Sequence, residues 1–153
     1  MEAQARALAD GMVEALPGWV ERSVVRIAVA WKGSATEELR AQAAAAGRRA
    51  AEQVGPELRA LLESDVDNQR STPLAVARGA VRFPTEVLMA AGVPPVVRDR
   101  VQEQLFPEDI YDLAPATFAD IDPRLADVGL EWSAAKAHTH LRRRRRTGQR
   151  AQP

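Results

Sequence analysis

The segment VERSVVRIAVAWKGSATE, residues 20–37, gives the clearest indication of the fold class. Its large apolar side chains recur every three or four residues, at Val20, Val24, Ile27 and Trp31. That spacing is the repeat of one helix face, and the alternation typical of a strand is missing. Lys32-Gly33 then ends the helix, and Ser34 to Glu37 has the Ser-x-x-Glu spacing with which a second helix begins. The segment predicts two helices joined by a short turn, with the Val20 face buried in one core.

The helical period continues on both sides of this segment. Leu8, Met12 and Leu16 form an apolar face that we expect to end at Pro17-Gly18. The second long helix is expected to break or kink at Gly55-Pro56, where the proline suits the first position of a new helix. Seven aromatic residues are predicted to anchor the core: Trp19, Trp31, Phe83, Phe106, Tyr111, Phe118 and Trp132.

The second half of the chain has a different pattern, because prolines recur in it at short intervals. They predict short helices over 73–141, one of which begins at Pro107 and the last of which runs from Ser133 to Leu141. The arginine run that follows could extend this last helix by one turn. The predicted fold is an all-α helical bundle of one domain, residues 1–141. It has long helices in 1–64, a polar linker in 65–72, short helices in 73–141, and a disordered basic tail in 142–153.

The composition excludes several classes of protein. The chain has 153 residues and no cysteine, so disulfide scaffolds, cysteine zinc sites, thiol nucleophiles and iron–sulfur clusters are excluded. No apolar run approaches the roughly 18 residues of a membrane span, and the first residues lack the apolar core of a signal peptide. We therefore expect no membrane span and a cytoplasmic location.

Charge is distributed unevenly along the chain, although the net charge is zero. Six arginines and no acid lie in residues 142–153, whereas nine acids and two arginines lie in 99–131. Such a basic block is typical of an interaction tail. The tail could fold back on the acidic segment 99–131, contact nucleic acid through phosphates, or bind an acidic protein or an anionic membrane.

No catalytic or metal-binding template is complete. The segment Asp65-Val66-Asp67-Asn68 begins like a calcium loop, but Arg70 stands where that loop needs glycine, so a turn with capping side chains is predicted. His138 and His140 are two residues apart and point to different sides of a helix. Two pairs of carboxylates, Glu108 with Asp109 and Asp120 with Asp122, are interpreted as helix caps. We expect no metal, no cofactor and no enzymatic activity.

Arg78 and Arg82 form the most distinctive polar cluster, because residues four apart share one helix face. Together they could hold a phosphate or a carboxylate through paired hydrogen bonds. Alternatively, these arginines form ion pairs with nearby acids and tie the second half together: Asp65, Asp67, Glu86 and Asp99.

Two stretches of the second half carry a resemblance to a known group. They are PTEVLMAAGVPPVVRD (84–99) and FPEDIYDLAPATFADIDPRLADVGLEWSAAKAHTHLRRRRR (106–146). They resemble a family of small uncharacterised helical proteins of actinobacteria and cover roughly half of the chain. The resemblance implies a high-GC bacterial source and a cytoplasmic location. That group has no assigned reaction, so no functional residue is carried over.

The sequence favours a non-enzymatic adaptor or regulatory protein that acts through protein–protein interaction. The alternative is a nucleic-acid-associated protein that contacts phosphates, weakly and non-specifically, through its arginine tail. A small enzyme that uses Arg78 and Arg82 with a nearby carboxylate is a third interpretation. The expected partner is a protein of unknown identity, and homo-oligomers are a further arrangement. The candidate anion-binding or partner-binding residues are Arg78, Arg82, Arg142, Arg143, Arg144, Arg145 and Arg146.

Overall fold

The structure, a computed structural model, describes residues 1–150, which form seven α-helices and no strand. In chain order the helices are α1 (Glu2–Lys32), α2 (Glu37–Glu63), α3 (Pro73–Arg78), α4 (Arg82–Ala90), α5 (Arg100–Leu105), α6 (Phe118–Ile121) and α7 (Leu125–Arg150). Single 3₁₀ turns lie at Val66–Asn68 and Gly79–Val81. The prediction of an all-α fold is confirmed. None of these helices combines the length and apolar character that crossing a bilayer requires.

Helices α1 and α2 pack against each other and form the centre of the core. Along α1, every fourth residue is fully buried: Leu8, Met12, Leu16, Val20, Val24 and Ala28. The facing side of α2 has small buried residues: Ala43, Ala46, Gly47 and Ala50. Because these side chains are small, the two helix backbones can approach closely.

The first helix does not end at Pro17-Gly18, and this prediction is wrong. Pro17 lies inside α1, and Leu16 and Val20 on either side of it are fully buried. A proline inside a helix costs about 3 kcal/mol, but packing of the whole apolar face stabilises the helix more than local propensity does. Gly55-Pro56 does not break the second helix either, because α2 continues to Glu63. A kink at this point stays a prediction.

The turn between α1 and α2 is confirmed, with two corrections. Gly33 has the left-handed conformation (φ 82°) that glycine adopts without strain, and its N–H donates to the carbonyl of Val29. Thr36, rather than Ser34, caps α2 by accepting from the amide of Leu39 at 3.1 Å. The buried face of α1 ends at Ala28, so the predicted burial of Trp31 is wrong, and its ring is half-exposed.

The second half departs more from its predicted layout. Helix α7 begins at Leu125 instead of Ser133, and it continues through residues 142–150, which were predicted to be a disordered tail. The last three residues of that predicted tail lie outside the described part of the chain. No helix begins at Pro107, because a turn forms in which the amide of Asp109 donates to the carbonyl of Phe106. The single domain over 1–141 stays a prediction.

The predicted linker and the aromatic anchors are met in part. Residues 65–72 include a 3₁₀ turn with buried Val66, in which Asp65 accepts from the amide of Asp67 at 3.0 Å. Four of the seven aromatic residues are buried in the core: Trp19, Phe83, Tyr111 and Trp132. Phe118 packs edge-on against Trp132, whereas Phe106 is exposed, contrary to its predicted role.

Candidate functional site

Arg78 and Arg82 lie together at one side of an open cleft, at the end of α3 and the start of α4. The Nε of Arg78 donates to the carbonyl of Pro115 at 3.3 Å, and the guanidinium of Arg82 donates to the side-chain oxygen of Gln53. Neither forms an ion pair with any acid in residues 1–149. The alternative in which they pair with nearby acids is therefore wrong, and both guanidinium groups keep unused N–H donors toward the cleft.

The cleft has a volume of about 710 Å³ and lies between α2, the α3–α4 region and the loop that follows α5. Its lining combines apolar surface with charges of both signs. Leu105, Phe106 and Val81 supply apolar atoms, whereas Glu57 and Glu108 are exposed acids. A volume of this size is within the range of sites that bind small molecules or short peptide segments.

The wall formed by α5 has an unusual exposure of apolar side chains. No residue of α5 is buried. Val97 is 97% exposed, Val101 64%, Leu105 65% and Phe106 45%. We call these four residues the α5 ridge. Val101 and Leu105 lie four residues apart on α5, Val97 precedes the helix and Phe106 follows it; Leu105 and Phe106 line the cleft.

Buried polar contacts hold the α5 ridge on the body. Arg98 and Asp109 form an ion pair at 3.5 Å in which about a tenth of each side chain is exposed. Asp109 also accepts from the amides of Leu113 and Ala114, at 2.7 and 2.9 Å. The hydroxyl of Tyr111, whose burial raises its pKa, donates to the carbonyl of Val93 at 2.6 Å. The segment that carries the ridge is therefore fixed at both ends.

The basic end of α7 lies elsewhere on the molecule. Arg143 donates to both carboxylate oxygens of Asp65, at 2.7 and 3.0 Å, and also contacts Asp67. The hydrogen bonds from Arg143 and from the amide of Asp67 lower the pKa of Asp65 from 3.8 to about 2. Within residues 142–149, the tail therefore pairs with the 65–67 turn rather than with the acidic segment 99–131.

The other arginines of this run face solvent. We call Arg142, Arg144, Arg145 and Arg146 the arginine arm; all four are exposed and form no ion pair within residues 1–149. The predicted site residues thus form two separate groups, the cleft pair and the arm, and Arg143 belongs to neither because it anchors the helix.

Replacing Arg143 by Ala should return the pKa of Asp65 from about 2 toward 3.8. Because folding lowers this pKa, the ion pair stabilises the fold fully above about pH 4, and the contribution is lost as the pH falls toward 2. A carbon-detected NMR titration of the Asp65 carboxyl measures the shift. The melting temperature at pH 7 should fall by only about 1–3 °C, since exposed pairs stabilise little. Arg144→Ala is the control, and an unchanged Asp65 titration in Arg143→Ala would contradict the contact.

The carboxylates around the cleft differ in their surroundings. Asp109 is held by two amides and Arg98, and Glu57 and Glu108 face solvent. In the described part of the chain, no cluster of three or more potential ligands could hold a metal ion. The arrangement is suited to binding a carboxylate beside an apolar side chain.

Sequence reasoning found the arginine pair but missed the α5 ridge. The only helical signal was the four-residue spacing of Val101 and Leu105, and Phe106 was assigned to the core. Comparison with protein-family models, curated proteins and solved structures finds no match. The resemblance of residues 84–99 and 106–146 to an actinobacterial family therefore stays a prediction, and the functional argument depends on the geometry of this chain.

Proposed function

We propose that this protein is a non-enzymatic adaptor that binds a peptide segment of a partner protein in the cleft beside the α5 ridge. The observation that supports the proposal is the ridge itself. Apolar side chains grouped on one exposed element are typical of interaction sites, whereas single exposed apolar residues need no explanation. Here four apolar side chains within ten residues of the sequence are exposed, on a segment that Arg98 and Asp109 fix in place.

The charges in the cleft define the chemistry of the segment. Arg78 and Arg82 can donate paired hydrogen bonds to a carboxylate, which is the strongest contact that a guanidinium makes with an anion. Glu57 and Glu108 on the same lining repel a polyanion. The best ligand is therefore a short segment with one or two acidic residues next to large apolar side chains. A phosphate backbone is disfavoured at this site.

Selection from a displayed random-peptide library tests this proposal. The protein should enrich peptides in which acidic and large apolar residues alternate or adjoin. Arg78→Ala and Arg82→Ala should each weaken a selected peptide about tenfold, as expected for the loss of a charged hydrogen bond. Replacing both Leu105 and Phe106 by Ser should remove binding, because the apolar wall is lost.

Matched controls lie outside the cleft. Arg49→Ala removes an exposed arginine of α2, and Leu130→Ser removes an exposed leucine of α7; neither should change peptide affinity. Enrichment of basic peptides only, no enrichment at all, or equal losses in the control variants would overturn the proposal.

The arginine arm supports a second candidate, contact with nucleic acid. Its four exposed arginines lie on a helix instead of a disordered tail, so they are held in position to contact phosphates. Capture of partners from a cell lysate distinguishes the adaptor function from nucleic-acid binding. Capture that nuclease removes, and that substitution of the arm by Ser abolishes, supports this candidate; capture that survives nuclease and needs Arg78 and Arg82 supports the adaptor. A cytoplasmic location is part of both proposals, and cell fractionation tests it.

A further inference from the structure

The outer face of α7 carries a regular stripe that nothing in residues 1–149 covers. Its members alternate at spacings of three and four residues: Asp127, Leu130, Ala134, Ala137, Leu141 and Arg144. All six are exposed, and the two leucines are 69% and 56% exposed. This alternation is the heptad spacing of positions that form the seam between two packed helices.

The opposite side of α7 already contacts the body. Leu125, Gly129 and Trp132 are buried there, and Arg143 holds the same side of the helix to Asp65. The stripe therefore points away from the protein along a helix whose position is fixed. A second helix can lie against it without any change in the fold, so little conformational entropy is lost on binding.

The stripe is complementary to itself when it is reversed. In an antiparallel pair of α7 helices, Leu130 of one copy faces Leu141 of the other, and Ala134 faces Ala137. In the same register Asp127 faces Arg144, so opposite charges meet at both ends of the seam. A parallel pair would instead place Asp127 against Asp127 and Arg144 against Arg144, which repel each other.

We propose that the protein forms a two-fold symmetric homodimer through antiparallel packing of two α7 helices. The alanines at the centre let the helix axes approach closely, and the leucines enclose them on both sides. Asp127 and Arg144 form no ion pair within the described chain, so both remain available for this contact.

The expected dimer is weak and salt-sensitive. Each copy contributes two leucines and two alanines, a contact at the small end of specific interfaces. Exposed charge pairs at both ends are screened at high ionic strength. Sedimentation velocity of the nuclease-treated protein should therefore show self-association at micromolar or higher concentrations in low salt, and less in high salt.

A charge-swap experiment tests the register. Asp127→Arg and Arg144→Glu should each abolish self-association, because like charges then meet twice in each homodimer. Mixing these two variants should restore dimers, since both end contacts of the mixed pair are again between opposite charges. The double variant with both substitutions should dimerise like the parent. Leu105→Ser, an equally exposed leucine on α5, is the matched control and should not change self-association.

Disulfide cross-linking tests whether the two α7 helices are antiparallel. Because the protein has no native cysteine, only the introduced cysteines can form disulfides. In the antiparallel register, a mixture of Leu130→Cys and Leu141→Cys forms disulfide-linked dimers. Neither variant forms them alone, because identical positions then lie about 16 Å apart along the helix axis, beyond the reach of a disulfide. A parent protein that is monomeric at all concentrations, single variants that dimerise as well as the parent, or linking of each cysteine variant with itself would overturn the proposal.

This inference stands apart from the proposed function. The outer face of α7 and the cleft share no residue, so Arg78→Ala and Arg82→Ala should dimerise normally. Loss of self-association in the Asp127 and Arg144 variants should leave peptide binding intact. If nucleic acid, rather than a second copy, occupies this face, Asp127→Arg should strengthen that binding instead of abolishing association, which separates the two occupants.

Discussion

Replacing Gly47 by Ala should lower the free energy of unfolding by about 3 kcal/mol, although alanine is the better helix former. An added Cβ at this position would lie 2.6 Å from the carbonyl oxygen of Pro17 and 2.8 Å from its Cα. Both are backbone atoms of α1, so no side chain can rotate away. The two central helices must separate, and the buried contacts on both sides of Gly47 loosen together.

Two other glycines provide the control for this prediction. An added Cβ at Gly79 or at Gly148 meets no atom within 4 Å, and neither residue has a positive φ. Alanine there should leave stability unchanged or raise it by up to about 1 kcal/mol. Urea unfolding of the three variants measures the difference. A Gly47→Ala protein as stable as the parent would contradict the close approach of α1 and α2.

The same contact explains which part of the fold could be read from the sequence. The four-residue spacing of Leu8, Met12 and Leu16 predicts a helix, and the structure has it. The continuation of that helix through Pro17-Gly18 to Lys32 could not be predicted, because the local signal for a break was overridden by packing. Gly47, whose close approach to Pro17 brings the helices together, lies 30 residues further along the chain. No short-range pattern connects the two.

In the candidate site as well, short-range spacing could be predicted from the sequence, whereas contacts between distant residues could not. The four-residue spacing of Arg78 and Arg82 suggested one surface, and the structure places both on one cleft. The outcome for Arg143 could not be predicted, because its partner Asp65 lies 78 residues away. The α5 ridge was missed because apolar residues at a helical spacing, such as Val101 and Leu105, are normally buried. Only the packing of the rest of the chain shows that this face remains uncovered.

Replacing Asp109 by Ala should lower the free energy of unfolding by about 3–5 kcal/mol, the range for removing one partner of a buried ion pair. Arg98 would keep its charge in a site where only 8% of its side chain is exposed, and its one ion-pair partner there would be gone. The amides of Leu113 and Ala114 would also lose their acceptor. Urea unfolding measures the global effect, and hydrogen exchange of these two amides measures the local one.

The consequence for function follows from the position of this pair. Arg98 also donates to the carbonyl of Phe106 at 2.7 Å, so the same guanidinium connects Asp109 to the α5 ridge. Asp109→Ala should therefore release the ridge and weaken peptide binding, even under conditions where the rest of the protein stays folded. Glu86→Ala is the matched control, since the carboxylate of Glu86 is exposed, forms no ion pair within residues 1–149 and does not line the cleft. If the amides of Leu113 and Ala114 in Asp109→Ala exchange hydrogen rapidly but peptide affinity is unchanged, the α5 ridge does not depend on the Arg98–Asp109 pair. The buried ion pair would then have no role in peptide binding.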